Sequence, residues 1–167
     1  MLVENGIYTE PTEAHAQEPR LGDLVEFWNE CRGGRSMPSR ADLDVIDLKP
    51  WLGNLILLEV RHDPLDYFYR VFGSLISQNT SRDLTGKWLS ECIDAGAAPA
   101  SSRDSYNKVL SHRAPLYQVQ SQEVTPGRLW QVVRVLLPLS NENDQINHII
   151  VGNYPLMTTI VEKELTF

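Results

Sequence analysis

The chain of 167 residues holds two cysteines, Cys31 and Cys92, and they lie in no Cys-x-x-Cys pair. That excludes a disulfide-stapled scaffold and a thiolate zinc site, and it fits a reducing cytoplasm. Basic residues are also scarce: 15 Lys and Arg stand against 22 Asp and Glu, a formal charge of −7. Bulk charge therefore turns the chain away from nucleic-acid phosphate and anionic lipid. No run reaches the roughly 18 apolar residues of a membrane span, and residues 1–20 carry acids where a secretory leader needs a basic start and an apolar stretch. The signatures of nucleotide and hydrolytic chemistry are missing too, with no Gly-x-Ser-x-Gly elbow, phosphate loop, dinucleotide fingerprint or His-Glu-x-x-His pair. Gly33-Gly34-Arg35-Ser36 has the wrong glycine spacing for a phosphate cradle and reads as a helix stop. His62, Asp63 and Asp66 fall in a hairpin turn, where Asp and Pro serve the backbone, so no metal site is expected. What is present is an ordinary globular composition, 42% hydrophobic, at the length of one domain.

Residues 1–20 hold Glu4, Glu10, Glu13, Glu18, Pro11 and Pro19 without apolar period, which predicts a mobile arm. Asp23 with Glu26 forms a capping box. Leu24, Phe27, Trp28 and Cys31 come next at helical spacing, and Gly33-Gly34 stops the helix. A second capping pattern at Ser39–Asp42 opens a short helical run that must yield before Pro50, and Trp51 and Leu52 are apolar anchors just past it. These elements make a helical extension over 21–53. From Asn54 the character changes: NLILLEVRH and DYFYRVFG flank HDPLD as a β-hairpin. Alternation sets Ile56, Leu58 and Val60 on its inner face and Leu57, Glu59 and Arg61 on the other. Residues 74–96 read as short helical turns broken at Gly86. A longer helix comes after them, with a Ser102 cap, an apolar row of Tyr106, Val109 and Leu110, and His112 and Arg113 at its end. Three more strands are separated by Thr125-Pro-Gly-Arg128 and Asn141-Glu-Asn-Asp144 turns. Five antiparallel strands with clustered helices make an α+β domain over 54–157, with a tail at 158–167.

Two strands, short helices, one longer helix and three strands is the order of the PAS domain. Tyr69-Arg70-Val71-Phe72-Gly73, with Asp83-Leu84-Thr85-Gly86-Lys87 after it, resembles the second strand and helix-ending turn of PAS proteins. Pro38-Ser39-Arg40-Ala41-Asp42-Leu43-Asp44 and Leu136-Leu137-Pro138-Leu139 resemble a bacterial PAS-like family, many of whose members are single-domain proteins without an attached output module. The resemblance covers about residues 21–155. It implies a PAS-like five-stranded antiparallel sheet with a helical insert between strands 2 and 3 and an N-terminal helical extension. It also implies a cytoplasmic sensory or protein-interaction module that turns ligand occupancy or partner binding into a changed surface, with no catalytic residue. Flavin photosensors of this fold place a cysteine in an Asn-Cys-Arg-Phe-Leu type motif, whereas Cys92 sits in Ser-Glu-Cys-Ile-Asp. Haem sensors carry an axial histidine on or near the long helix, which leaves His112 as the one candidate, and His112 suits a helix C-terminus equally. No cofactor is expected.

Tyr69, Val71, Trp88, Tyr106, Val133 and Val135 come from the elements that surround a PAS pocket and are the expected ligand contacts. Arg70 and Arg134 interrupt apolar strands, and a charge there must face water or find a partner. Glu59 falls close to opposite Arg70 and suggests a cross-strand ion pair; the other reading turns Arg70 under the helical insert to hold a carboxylate. An isomerase or lyase on a similar curved sheet would use Tyr69 with a buried acid for proton transfer. Leu21, Leu24, Val25, Phe27, Trp28 and Cys31 are wider than one core-facing stripe. Leu57, Phe68, Phe72, Trp130, Val132 and Leu136 make a second apolar sheet face. Together they predict a homodimer that lays the Trp28 helix across the outer sheet face and signals to an unidentified partner protein. The alternative is a helix that covers its own sheet.

Overall fold

The β-branched and aromatic runs form the strands expected of them. The computed structural model describes residues 4–125 and 128–162, without the side chains of 122–130 and 157–162. Strands β2 (Leu55–His62) and β3 (Leu65–Phe72) make the hairpin. Strands β4 (Leu116–Thr125), β5 (Arg128–Ser140) and β6 (Ile146–Glu162) make the later meander. The Pro126-Gly127 core of the expected turn lies outside the described residues, as does the side chain of Trp130.

With β1 (Gly6–Tyr8), the sheet among the described residues has six antiparallel strands, not five, in the order β1-β4-β5-β6-β2-β3. The extra strand is paired with Tyr117–Val119 of β4. Residues 6–20 are thus built into the fold and do not form a free arm. Helix α1 (Glu13–Ala16) is next, and its anchors Ala14 and His15 are both buried. Small and polar anchors leave no hydrophobic period to read. Nor is 158–162 a tail, since Ile160–Glu162 pair with Arg128–Trp130; residues 163–167 lie outside the described residues. Backbone also closes the opposite border of the sheet. Tyr69 N–H donates to Lys87 O, Gly86 N–H donates to Tyr69 O, and Phe68 bridges Trp88.

Helix α2 runs Pro19–Arg32, starting before the Asp23 cap because Pro19 fits a first turn and Glu18 accepts from the Arg20 amide and guanidinium. It ends where expected, with Gly33 at φ +56°. The expected run before Pro50 is instead a pair of short 3₁₀ turns, Arg40–Asp42 and Lys49–Asn54. Pro50 opens the second, where its missing N–H costs nothing.

Leu21, Leu24 and Trp28 of α2 are buried against the chain's own sheet. Trp28 Nε1–H donates to Pro138 O at 2.9 Å, and Trp51 Nε1–H to Arg20 O at 2.8 Å with its ring stacked on Phe27. Gly152 permits the approach, because a β-carbon there would sit 2.9 Å from methyls of both Leu21 and Leu24. The buried stripe of α2 assigned to a dimer seam is therefore covered by a sheet face of its own chain. A tethered helix reaches that face at high effective concentration and gives up no free rotation and translation to do so.

The remaining helices, α3 (Ser74–Thr80), α4 (Leu89–Asp94) and α5 (Ser101–His112), lie on the other face. Gly86 at φ +80° breaks the segment between α3 and α4 as expected. The α5 N-cap is Ala100, not Ser102. Ile56, Leu58 and Val60 share this inner face with Tyr67 and Tyr69 by register.

Candidate functional site

Between the inner sheet face and α3–α5 lies a cavity of about 470 Å³, within the range of small-molecule sites. Ile56 of β2, Phe72 of β3, Ile76 of α3 and Leu84 give it apolar walls; Tyr69, Tyr106, Asn153 and Arg134 supply polar groups. Exposed Asn5, Ser81, Arg82 and Ser121 form its rim.

Strand parity decides which side chains arrive there. Tyr69 and Tyr106 line the cavity as expected, whereas Val133 and Val135 point away. Val135 packs beside Gly152, Leu21 and Leu24, and Val133 pairs with Tyr154, whose ring lies under the Arg20 guanidinium at 4.2 Å. Arg134, the residue between them, faces inward. A one-residue step exchanges faces completely.

A β-bulge corrects two more expectations. Leu57 pairs with Val71 but Leu58 pairs with Tyr69, so Arg70 is the extra residue. Without the bulge Tyr69 and Val71 would share a face; with it, Tyr69 turns in and Val71 turns out to a small apolar hollow beside Leu43, Leu48 and Leu57. Arg70 is exposed, its Nε 2.6 Å from Glu59 Oε2, its guanidinium over the Phe68 ring. The ion-pair reading is the one observed. Trp88 also misses the cavity: it packs edge-on against Phe68 and lies under Arg61 at 4.2 Å. His112 is exposed in the last turn of α5 and is not among the residues that line this cavity. His62 Nε2 meets Ile146 O, and Asp66 accepts from Ser90 N–H and Oγ–H. Among the described residues no group of His, Cys, Asp and Glu is placed to hold a metal ion.

Arg134 is the residue that sequence reasoning noticed and did not place. It is 4% exposed. Its Nη1 donates to Gln118 Oε1 and its Nη2 to Tyr106 Oη, both at 3.1 Å, while its Nε is buried without a partner. Register aligns Gln118, Arg134 and Asn153 across three strands as one polar row. That row was the available signal, since Arg134 and Asn153 each interrupt an apolar strand, but it emerges only once the strands are paired. Burial, together with the neighbouring Tyr106 phenol, pushes the Tyr69 hydroxyl up, and burial does the same for Tyr67, so both stay neutral donors. The buried acid that a Tyr69-based proton transfer needs is not among the described lining residues.

Behind the same residue, His15 Nε2–H donates to the Arg134 backbone oxygen at 2.9 Å, and its Nδ1 accepts from Thr12 N–H at 3.2 Å. Both ring nitrogens are thus used by the neutral form. Burial lowers the His15 pKa, consistent with that tautomer.

The family model described as PAS domain matches residues 16–154. The chain belongs to the PAS domain family. Among solved structures, this PAS domain is similar to an RNA-binding light-oxygen-voltage receptor, at 12% identity and a TM-score of 0.47 over 92% of this chain, and it spans 39% of that one. It is similar to a sensory box sensor histidine kinase from Vibrio cholerae at 18% identity and a TM-score of 0.41, over 66% of this chain and 85% of that one. A LOV protein of Rhodobacter sphaeroides matches at 11% identity and a TM-score of 0.47, over 70% of each chain. No curated protein matches the sequence. No helix among the described residues is long and apolar enough to cross a membrane.

Proposed function

We propose that this PAS domain senses a small molecule held between its sheet and α3–α5. The cavity carries the reading: a space of about 470 Å³ bounded by apolar walls and a few convergent polar groups is the form small-molecule sites take. A cytoplasmic setting fits two cysteines that form no disulfide. Occupancy is read out through β5, because a ligand that moves Arg134 also moves the backbone carbonyl that His15 grips. His15 belongs to α1, which leads directly into α2, so a shift there reaches the outer layer and a partner that docks on it. Differential affinity for two positions of that layer is what converts binding into signal.

Native mass spectrometry of the chain purified from its own source tests the proposal. The expected result is a species heavier than the 19.0 kDa polypeptide by the mass of one small molecule, lost when Ile56→Trp fills the cavity. An empty chain, together with unchanged hydrogen exchange in α1 and α2 on titration with extracts of the source, would remove it.

A further inference from the structure

We infer that the cavity selects a small organic anion, its carboxylate seated on Arg134 and its hydrocarbon body against Ile56, Phe72 and Ile76. This rests on the cavity being a ligand site and adds what the site recognises. A guanidinium offers five N–H donors and no acceptor. In this chain Nη1 and Nη2 each meet a neutral oxygen and Nε meets nothing. No carboxylate of the described residues lies within ion-pair distance of Arg134. A desolvated cation left without a counter-charge is costly, and a bound carboxylate removes that cost with the bidentate geometry the guanidinium favours.

The charge distribution supports the same ligand. The chain holds 22 acids against 15 Lys and Arg, yet no acid is among the described residues that line this cavity, while a second arginine, Arg82, stands at its rim. Ser101 and Ser102 place the start of α5 on the wall, and Ala100 provides no side-chain cap there, so the positive end of the helix dipole faces the same space. A single buried guanidinium beside apolar walls favours one carboxylate on a hydrocarbon frame.

Thermal unfolding of the full chain near pH 7 tests this with benzoate, phenylacetate and hexanoate, their amides benzamide, phenylacetamide and hexanamide, and inorganic phosphate. At least one carboxylate is expected to raise Tm by about 5 °C at about 100 times its Kd, with no comparable rise from its amide or from phosphate. R134M is expected to lose that response while its ligand-free Tm stays close to that of the wild type, because removing an unneutralised buried charge offsets the loss of the hydrogen bonds to Gln118 and Tyr106. R134K keeps a weakened response, having charge without the planar fork. An amide that stabilises as well as its acid overturns anion selection and leaves the cavity a ligand site. A rise confined to phosphate overturns the organic ligand, and a carboxylate response that survives in R134M puts the anion elsewhere. A ligand-free R134M of much lower Tm makes Arg134 a structural residue and also overturns the inference. No rise with any probe overturns the carboxylate class, and native mass spectrometry then decides whether the cavity holds anything.

Discussion

A β-carbon added at Gly73 would collide with the backbone carbonyl of Gly53, and a backbone atom cannot swing aside as a side-chain tip can. Gly73→Ala is therefore expected to cost about 3 kcal/mol or more, read as a lower midpoint of denaturant unfolding. The Glu59–Arg70 pair sits at the other extreme. Both side chains are substantially exposed, so Arg70→Ala should change stability by less than about 1 kcal/mol. Arg61 is intermediate: the hairpin pattern marks it as an outward residue of no consequence, yet its guanidinium covers Trp88 and its Nε donates to Pro64 O. Arg61→Asp should cost more than about 1 kcal/mol, because it loses the cation–π contact and the ion pair with Asp66 and sets a like charge opposite that buried carboxylate, yet it stays short of Leu58→Asp, which puts a charge at a fully buried site and should unfold the domain. His15 gives a pH dependence. Its folded-state pKa lies below the ordinary value of about 6.5, so the unfolded chain takes up the proton more readily. The stability due to the neutral ring is complete above that value and is lost as pH falls through it toward the folded pKa. Tm should hold near pH 7 and fall toward pH 5. His15→Gln should be less stable at pH 7 and show a shallower acid slope; His148, also lowered by burial, keeps the slope from vanishing.

Among the elements, α2 takes most of its stability from one face. Trp28 fills a buried site and spends its indole N–H on Pro138, so Trp28→Ala should lower stability by about 3–5 kcal/mol. Light scattering should show no change in association state, which separates this packing role from an interface role. The order of helices and strands was legible because periods of two and of about 3.6 residues differ plainly in Asn54–Gly73 and in Ser101–His112. Two pocket tyrosines, Tyr69 and Tyr106, were legible for the same reason. Val133 and Val135 were misplaced because β5 is apolar on both faces, covered by α2 on one side and by α3–α5 on the other, and a strand buried twice has no alternation to read. Val71 was misplaced by the bulge at Arg70, which leaves no mark in the one-dimensional pattern. Residues 6–16 were missed because edge pairing and an Ala-His anchor need no large apolar side chains.

Across the whole molecule both borders of the sheet are guarded by short stretches of backbone: Gly86–Trp88 along β3, and the three residues of β1 along β4. The second guard is the lighter one, for Gly6–Tyr8 cover only part of a ten-residue strand. A chain lacking residues 1–10 keeps α2 and the cavity walls of β2, β3 and α3–α5, but it presents the donors and acceptors of Tyr117–Val119 to any other extended polypeptide. Two such borders meeting would continue the sheet from one molecule into the next, and the junction would repeat the hydrogen bonds that β1 makes. The three-residue strand is in that sense a stopper against polymerisation, and its removal should appear in size-exclusion chromatography as growing oligomers, with circular dichroism still showing a folded domain.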